Sequence, residues 1–168
     1  MIEVRLAESR DFPAVASLVQ EVHALHALAL PDVFQPPTTT VATAADLERL
    51  ASRPGHLLLV AVRAGVAVGY AHAEVQEEPE SAYKRASTVL HVHAMGVTEA
   101  KRGRGVGRAL LDAVRGAAAA RGIERVSLEV YAFNTAARAF YARQGFVTLR
   151  ERLVVPTGRP TSAGERAP

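Results

Sequence analysis

The stretch TVLHVHAMGVTEAKRGRGVGRALLDAV (residues 88–114) changes character twice. It opens as a strand pattern over residues 88–97, then packs three glycines and four basic residues into positions 101–108, and then turns aliphatic. Val106, Leu110, Val114 and Ala118 recur at four-residue steps, which predicts a helix ending near Arg121-Gly122. A strand, a glycine-rich turn and a helix start in that order make an anion site. The first helical N–H groups have no intrahelical partner, the helix dipole adds partial positive charge, and glycine lets a ligand approach the backbone closely. Arg102, Arg104 and Arg108 can add charge-assisted hydrogen bonds.

Working outward, IEVRL (residues 2–6) alternates as a strand, and Asp11 can cap a helix whose first turn tolerates Pro13. LPDVFQPPTTT breaks the helical spacing with prolines, and TAADLERLAS is a short helix stopped by Pro54-Gly55. HLLLVAVR and VAVGYAHAEV read as a hairpin around Ala64-Gly65, followed by the polar loop QEEPESAYKRAS. ERVSLEV (residues 124–130) is a strand, TAARAFYARQ a helix opened by Asn134 and stopped by Gly145, and FVTLRERLVV a last strand. The expected fold is a mixed α/β sheet in the order β-α-α-β-β-β-α-β-α-β, with antiparallel central hairpins and one parallel crossover. One domain is expected over residues 1–155, with a flexible tail rich in proline, glycine and serine over 156–168.

Composition narrows the chemistry. The chain of 168 residues has no cysteine, which excludes disulfides, thiolate catalysis and Cys-based zinc sites. No segment has the length and apolarity of a membrane span, and the N-terminus carries no apolar run of signal-peptide length, so a cytoplasmic protein is expected. A formal charge of +3 is small for a nucleic-acid binder, and the basic residues converge on one helix end, which suits a small polyanion better.

Spacing then decides which phosphate. A Walker loop needs Lys-Ser/Thr after two glycines five apart, but Gly103 plus five is Arg108. G-x-G-x-x-G fails as well, because the glycines stand at 103, 105 and 107. What is present is Arg102-x-x-Gly105-x-Gly107. With the strand before it and the helix after it, AMGVTEAKRGRGVGRALLDAV (residues 94–114) resembles the acetyl-CoA motif of the GNAT family, the Gcn5-related N-acetyltransferases. LEVYAFNTAARAFYARQGF (residues 128–146) resembles the family's next strand and helix, with Asn134 opening the helix and Phe140-Tyr141 ahead of Gly145-Phe146.

The resemblance implies a sheet split into a V, with the pantetheine arm of acetyl-CoA pairing with Met95, Gly96 and Val97 like an added strand. It places the pyrophosphate on the N–H groups of Gly103, Arg104, Gly105, Val106, Gly107 and Arg108, with Arg102 beside them and Asn134 and Tyr141 facing the cofactor. It implies direct acetyl transfer to a primary amine of a small molecule, peptide or protein; a CoA-binding module without turnover is the alternative. Tyr141 is the candidate acid for the leaving thiolate. His91 stands where the histone-acetyltransferase branch carries a glutamate base; His93, Glu129 and a water relay are rivals. His91 and His93 are expected to share a strand face with Met95. A zinc site of His72, His91 and His93 lacks a ligand-spaced motif, so no metal is expected. His23 and His26, three apart on the first helix, fall where the family shapes its acceptor pocket. Neither a nucleic-acid nor a membrane partner is expected, and a homodimer is left open, dimers being common among relatives.

Overall fold

A computed structural model of the chain describes residues 1–155; the tail expected over 156–168 lies outside the described residues. The elements are β1 (Glu3–Leu6), α1 (Phe12–Ala29), α2 (Ala44–Ala51), β2 (His56–Arg63), β3 (Val66–Glu78), β4 (Ser87–Val97), α3 (Val106–Ala119), β5 (Val126–Leu128) and α4 (Thr135–Arg143). The chain divides into two compact units, Met1–Asn134 and Thr135–Pro168, and each is described by itself. No helix of the described residues is long and apolar enough to cross a membrane.

The first unit is a five-stranded sheet in the order β1-β2-β3-β4-β5. β1 to β4 pair antiparallel and β5 joins β4 in parallel, which requires the crossover that α3 supplies. Two apolar layers cover the sheet. Leu57, Leu59, Leu90 and Val92 meet Val106, Leu110 and Val114 of α3 on one face. Leu58, Val60 and Tyr70 meet Phe12, Val15 and Leu18 of α1 and Leu47 of α2 on the other. The β2–β3 turn has both central residues left-handed, Ala64 at φ 51° and Gly65 at φ 77°, matching the twist of a two-residue hairpin.

Four expectations change. Asp11 precedes α1 but makes no side-chain cap. Its buried carboxylate instead accepts two bonds from Arg5, at 2.6 and 3.0 Å, and one from the Glu8 N–H at 2.8 Å, tying β1 to the helix start. That guanidinium holds the Asp11 carboxyl below the usual carboxylate range. The acidic run after β3 is partly strand, because Gln76, Glu77 and Glu78 pair with Val89, Thr88 and Ser87. β5 is three residues long, shorter than the seven expected. The last expected strand, residues 146–155, is not among the elements described, which end with α4. In the second unit α4 ends at a left-handed Gly145, φ 85°, with the Phe146 N–H donating to the Tyr141 carbonyl.

Candidate active site

The anion site is built at the end of β4. The Thr98 N–H donates to the Val68 carbonyl at 3.1 Å, and one 3₁₀ turn over Glu99–Lys101 carries the chain off the sheet. The Arg102 Nε–H reaches back to the Val97 carbonyl at 3.1 Å, fixing the loop to the strand it leaves. Gly103 and Gly105 are both left-handed, at φ 71° and 83°, a region costly for side chains with a Cβ. Gly105 is the N-cap of α3, and the Ala109 N–H closes on its carbonyl at 3.0 Å. The amides of Val106, Gly107 and Arg108 belong to the helix turn that has no carbonyl ahead of it. Arg104 and Arg108 are exposed beside them. The residues present therefore fit a pyrophosphate: aligned N–H groups at a helix start, bare left-handed glycines and exposed guanidinium groups.

Gly69 holds this helix start in place and was not singled out from the sequence. A Cβ there would lie 2.9 Å from the Gly96 carbonyl oxygen, 3.1 Å from Val106 Cγ1 and 3.2 Å from Leu110 Cδ1. Its signal was a glycine inside a strand, which marks close approach by another element. Gly69→Val should therefore lower stability by about 1–3 kcal/mol through overpacking and displace the α3 N-terminus, measured by urea unfolding together with CoA affinity. Gly96 is bare for a similar reason: a Cβ would meet Tyr70 Cε1 at 2.7 Å and Val22 Cγ2 at 2.8 Å.

β4 and β5 pair at Leu90↔Val126, His91↔Ser127 and Val92↔Leu128, and the ladder stops there. β4 runs on to Val97 with β3 as its partner, Met95, Gly96 and Val97 facing Ala71, Tyr70 and Gly69. The two strands thus part where the expected V opens.

On the sheet face opposite α3, histidines from three strands form a stack. His56 and His72 stack at 5.3 Å and 10°, and His72 and His93 at 4.9 Å and 21°. His91 meets His93 edge-on at 4.8 Å. A register shift between His72 and Ala73 places Val92 opposite Ala73 and Ala94 opposite His72, so His93 is the extra residue of a β-bulge. The bulge resets the alternation. Met95 packs with Leu90 and Val92 against α3, and His91 and His93 lie on the other face. The expectation that Met95 shares their face is corrected on this ground.

Glu74 fixes the protons of the stack. Its carboxylate accepts from His93 Nε2–H at 2.7 Å, which holds its own pKa down, and its second oxygen lies 3.4 Å from His56 Nε2. His56 Nδ1 then accepts from His72 Nε2–H at 3.0 Å. His91 Nδ1 lies 2.9 Å from Ser127 Oγ. The rings bond to one another and to Glu74, and among the described residues no three His, Asp or Glu side chains are placed to hold a metal ion.

Burial, reinforced by neighbouring His93, His56 and His91 and opposed by Glu74, lowers the His72 pKa from 6.5 to about 4. Between these values the unfolded chain binds a proton that the folded one refuses. Stability is therefore full above pH 6.5 and falls as pH drops toward 4. The loss attributable to His72 should be on the order of 1–2 kcal/mol after solvent screening, and His72→Gln should flatten the slope in urea titrations across that window.

A second cluster joins α1 to the chain after β5. His26 lies 5.3 Å from Phe34, 5.5 Å from Tyr131 and 5.4 Å from Phe133, ring to ring. Its Nδ1–H donates to the Val22 carbonyl at 2.7 Å, which fixes the ring against the helix. His23 donates from Nε2 to the Pro36 carbonyl at 3.1 Å. Sequence spacing found the two histidines; Phe34, Tyr131 and Phe133 converge only through the fold. Glu129 is exposed just beyond β5. Asn134 closes the first unit, its N–H donating to the Tyr131 carbonyl at 3.0 Å. In the second unit Tyr141 on α4 packs edge-to-face on Phe140 at 5.3 Å and Phe146 at 5.7 Å, and burial raises its phenol pKa.

Comparison with known proteins agrees with this geometry. The model of the acetyltransferase (GNAT) family matches residues 19–146. The mycothiol acetyltransferase of Salinispora tropica is 36% identical over 109 residues, 62% of this chain and 34% of that protein. That of Beutenbergia cavernae is 44% identical over 55 residues, 33% of this chain and 18% of that protein. The chain thus spans about a third or less of the length of these relatives. Among solved structures, a tetramutant of the BH1408 protein from Bacillus halodurans superposes with a TM-score of 0.87 at 22% identity, covering 92% of this chain and 99% of that one. The aminoglycoside N-acetyltransferase AAC(6′)-Iy, solved in complex with CoA, gives 0.72 at 20% identity, covering 95% of each chain. At these identities the structures share the mixed α/β fold. The family match spans most of the chain, with the glycine turn and the parting strands inside it, and the chain belongs to the GNAT acetyltransferase family.

Proposed function

We propose that the protein is an N-acetyltransferase that moves the acetyl group of acetyl-CoA directly to a primary amine of a small molecule, peptide or protein. The observation that carries this reading is the left-handed Gly103–Gly105 turn capping α3, set where β4 runs on past the end of its pairing with β5. Acetyl-CoA, when bound, supplies an activated acetyl thioester. The amides of residues 103–108 and the side chains of Arg102, Arg104 and Arg108 bind its pyrophosphate, and the open edge of Met95, Gly96 and Val97 takes the pantetheine amides as an added strand. A backbone N–H in that same segment stabilises the oxyanion.

The amine must be neutral to attack. His91, oriented by Ser127, takes its proton, and the contact with His93 leads on to Glu74. Tyr141 donates its hydroxyl proton to the leaving thiolate; its raised pKa keeps that proton in place through the neutral range. Asn134 orients the cofactor. Relatives named for acting on mycothiol and on aminoglycosides support an amine-bearing acceptor.

The test is a thiol-release screen with acetyl-CoA against polyamine, aminoglycoside, amino-sugar and peptide amines. Stoichiometric thiol and N-acetyl product with at least one class is expected. Tight CoA binding with no turnover on any class would instead favour the non-catalytic module.

A further inference from the structure

The pairing registers lay one polar row across four strands. His56 of β2 pairs with Glu74 of β3, Glu74 with His91 of β4, and His91 with Ser127 of β5. Antiparallel partners hold their Cβ atoms about 4.5–5.5 Å apart on one face of a sheet. Glu74 is therefore the direct cross-strand neighbour of His91. Its two oxygens serve the rings on either side, with His93 Nε2 at 2.7 Å and His56 Nε2 at 3.4 Å. His72 closes the circuit, bonded to His56 at 3.0 Å and stacked on His93 at 4.9 Å. His91 in turn rests edge-on against His93 at 4.8 Å. One carboxylate thus fixes the ring against which His91 is set.

The charge matters as much as the geometry. A base that takes the amine proton becomes an imidazolium, here beside a His72 that burial keeps neutral. The bond from His93 keeps Glu74 an anion. The titratable groups around His91 are His93 on its own strand, Glu74 and His72 on β3, His56 on β2 and, two residues beyond Ser127, Glu129. From α1, Val22 meets this strand at Gly96, and His26 belongs to the aromatic corner. We infer that Glu74 is a positioning residue for acetyl transfer: it orients His93 against His91, and its charge stabilises the imidazolium formed at His91. The inference rests on the reading of His91 as the base. Glu74 itself forms and breaks no covalent bond. The amine's proton passes to His91 and then to water, while the acetyl carbon exchanges its bond to sulfur for one to nitrogen. An opposite charge within about 4–6 Å shifts proton affinity by roughly 1–3 pH units, and Glu74 keeps 32% of its side chain exposed, so the lower end applies.

Glu74→Gln keeps the shape and removes the charge. In the full chain, the ascending limb of kcat/KM should move to lower pH by about one unit, and the limiting kcat should fall roughly threefold to tenfold. The least basic amine accepted is used, so that the limb reports the enzyme. Glu74→Asp keeps the charge on a shorter stem; its limb should stay near that of the wild type while kcat falls. An unmoved limb in Glu74→Gln would overturn the inference and leave the acetyltransferase reading standing. Equal shifts in both variants would also overturn it, because charge would not be the cause. If Glu74→Gln does not fold in urea titrations, Glu74→Asp decides alone, and a wild-type kcat in it would refute the positioning role. A wild-type protein with no turnover on any amine would remove the functional reading, and this role with it.

Discussion

Gly105→Val is expected to weaken coenzyme A binding at least a hundredfold, about 2.7 kcal/mol, with the protein still folded. Gly105 sits at φ 83°, ψ −4° as the N-cap of α3. A Cβ built there meets nothing within 4 Å, so the effect is conformational and not a clash. A residue with a Cβ costs roughly 1–2 kcal/mol in the left-handed region, and a β-branched one more. The loop relieves that strain by leaving the conformation, and the amides of Val106, Gly107 and Arg108 then lose their alignment. Asparagine visits this region readily, so Gly105→Asn should lose far less affinity than Gly105→Val. Calorimetric titration of CoA into the wild-type protein and both variants measures the order. Equal affinity of the wild-type and Gly105→Val proteins would remove the turn from the binding site.

Tyr141→Phe is expected to lower kcat at least tenfold while CoA affinity stays within about threefold. Loss of the hydroxyl removes one proton donor and leaves the ring packed on Phe140 and Phe146. A factor of ten is about 1.4 kcal/mol of barrier, modest for a general acid, because water can replace part of its role. Burial raises the Tyr141 pKa above that of an ordinary phenol, so the acid stays protonated through the assay range. The wild-type kcat profile should show no descending limb from this group below pH ~10. Stopped thiol-release assays from about pH 6 to about pH 9.5 with saturating acetyl-CoA check both points. An unchanged kcat in the phenylalanine variant would assign thiolate protonation to solvent.

How far the sequence carried the account depends on whether a residue's role is local. The spacing of Gly103, Gly105 and Gly107 is a local signal, and the turn is where it pointed. The apolar steps of α3 and the Ala64-Gly65 hairpin are equally local. Pairing across strands is not. The bulge at His93 arises from how β4 registers on β3, and no pattern within residues 88–97 announces it, so the face of Met95 was misread. The histidine stack joins His56, His72 and His93 from three strands and depends on that same register. The aromatic corner around His26 needs the loop and the chain after β5 to meet. Asp11 reads as a cap by type, yet Arg5 of β1 competes for its carboxylate and wins with two charge-assisted bonds. Residues 146–155 have the pattern of a strand, but a pattern cannot say where the partner strand is.

The measurement closest to the central claim compares coenzyme A with pantetheine, which keeps the thiol arm and lacks the pyrophosphate. If the turn before α3 is the pyrophosphate cradle, the wild-type protein binds coenzyme A far more tightly than pantetheine, and Gly105→Val erases most of that preference while leaving pantetheine affinity unchanged. Equal binding of the two ligands by the wild-type protein, or a preference untouched by the substitution, would contradict the account.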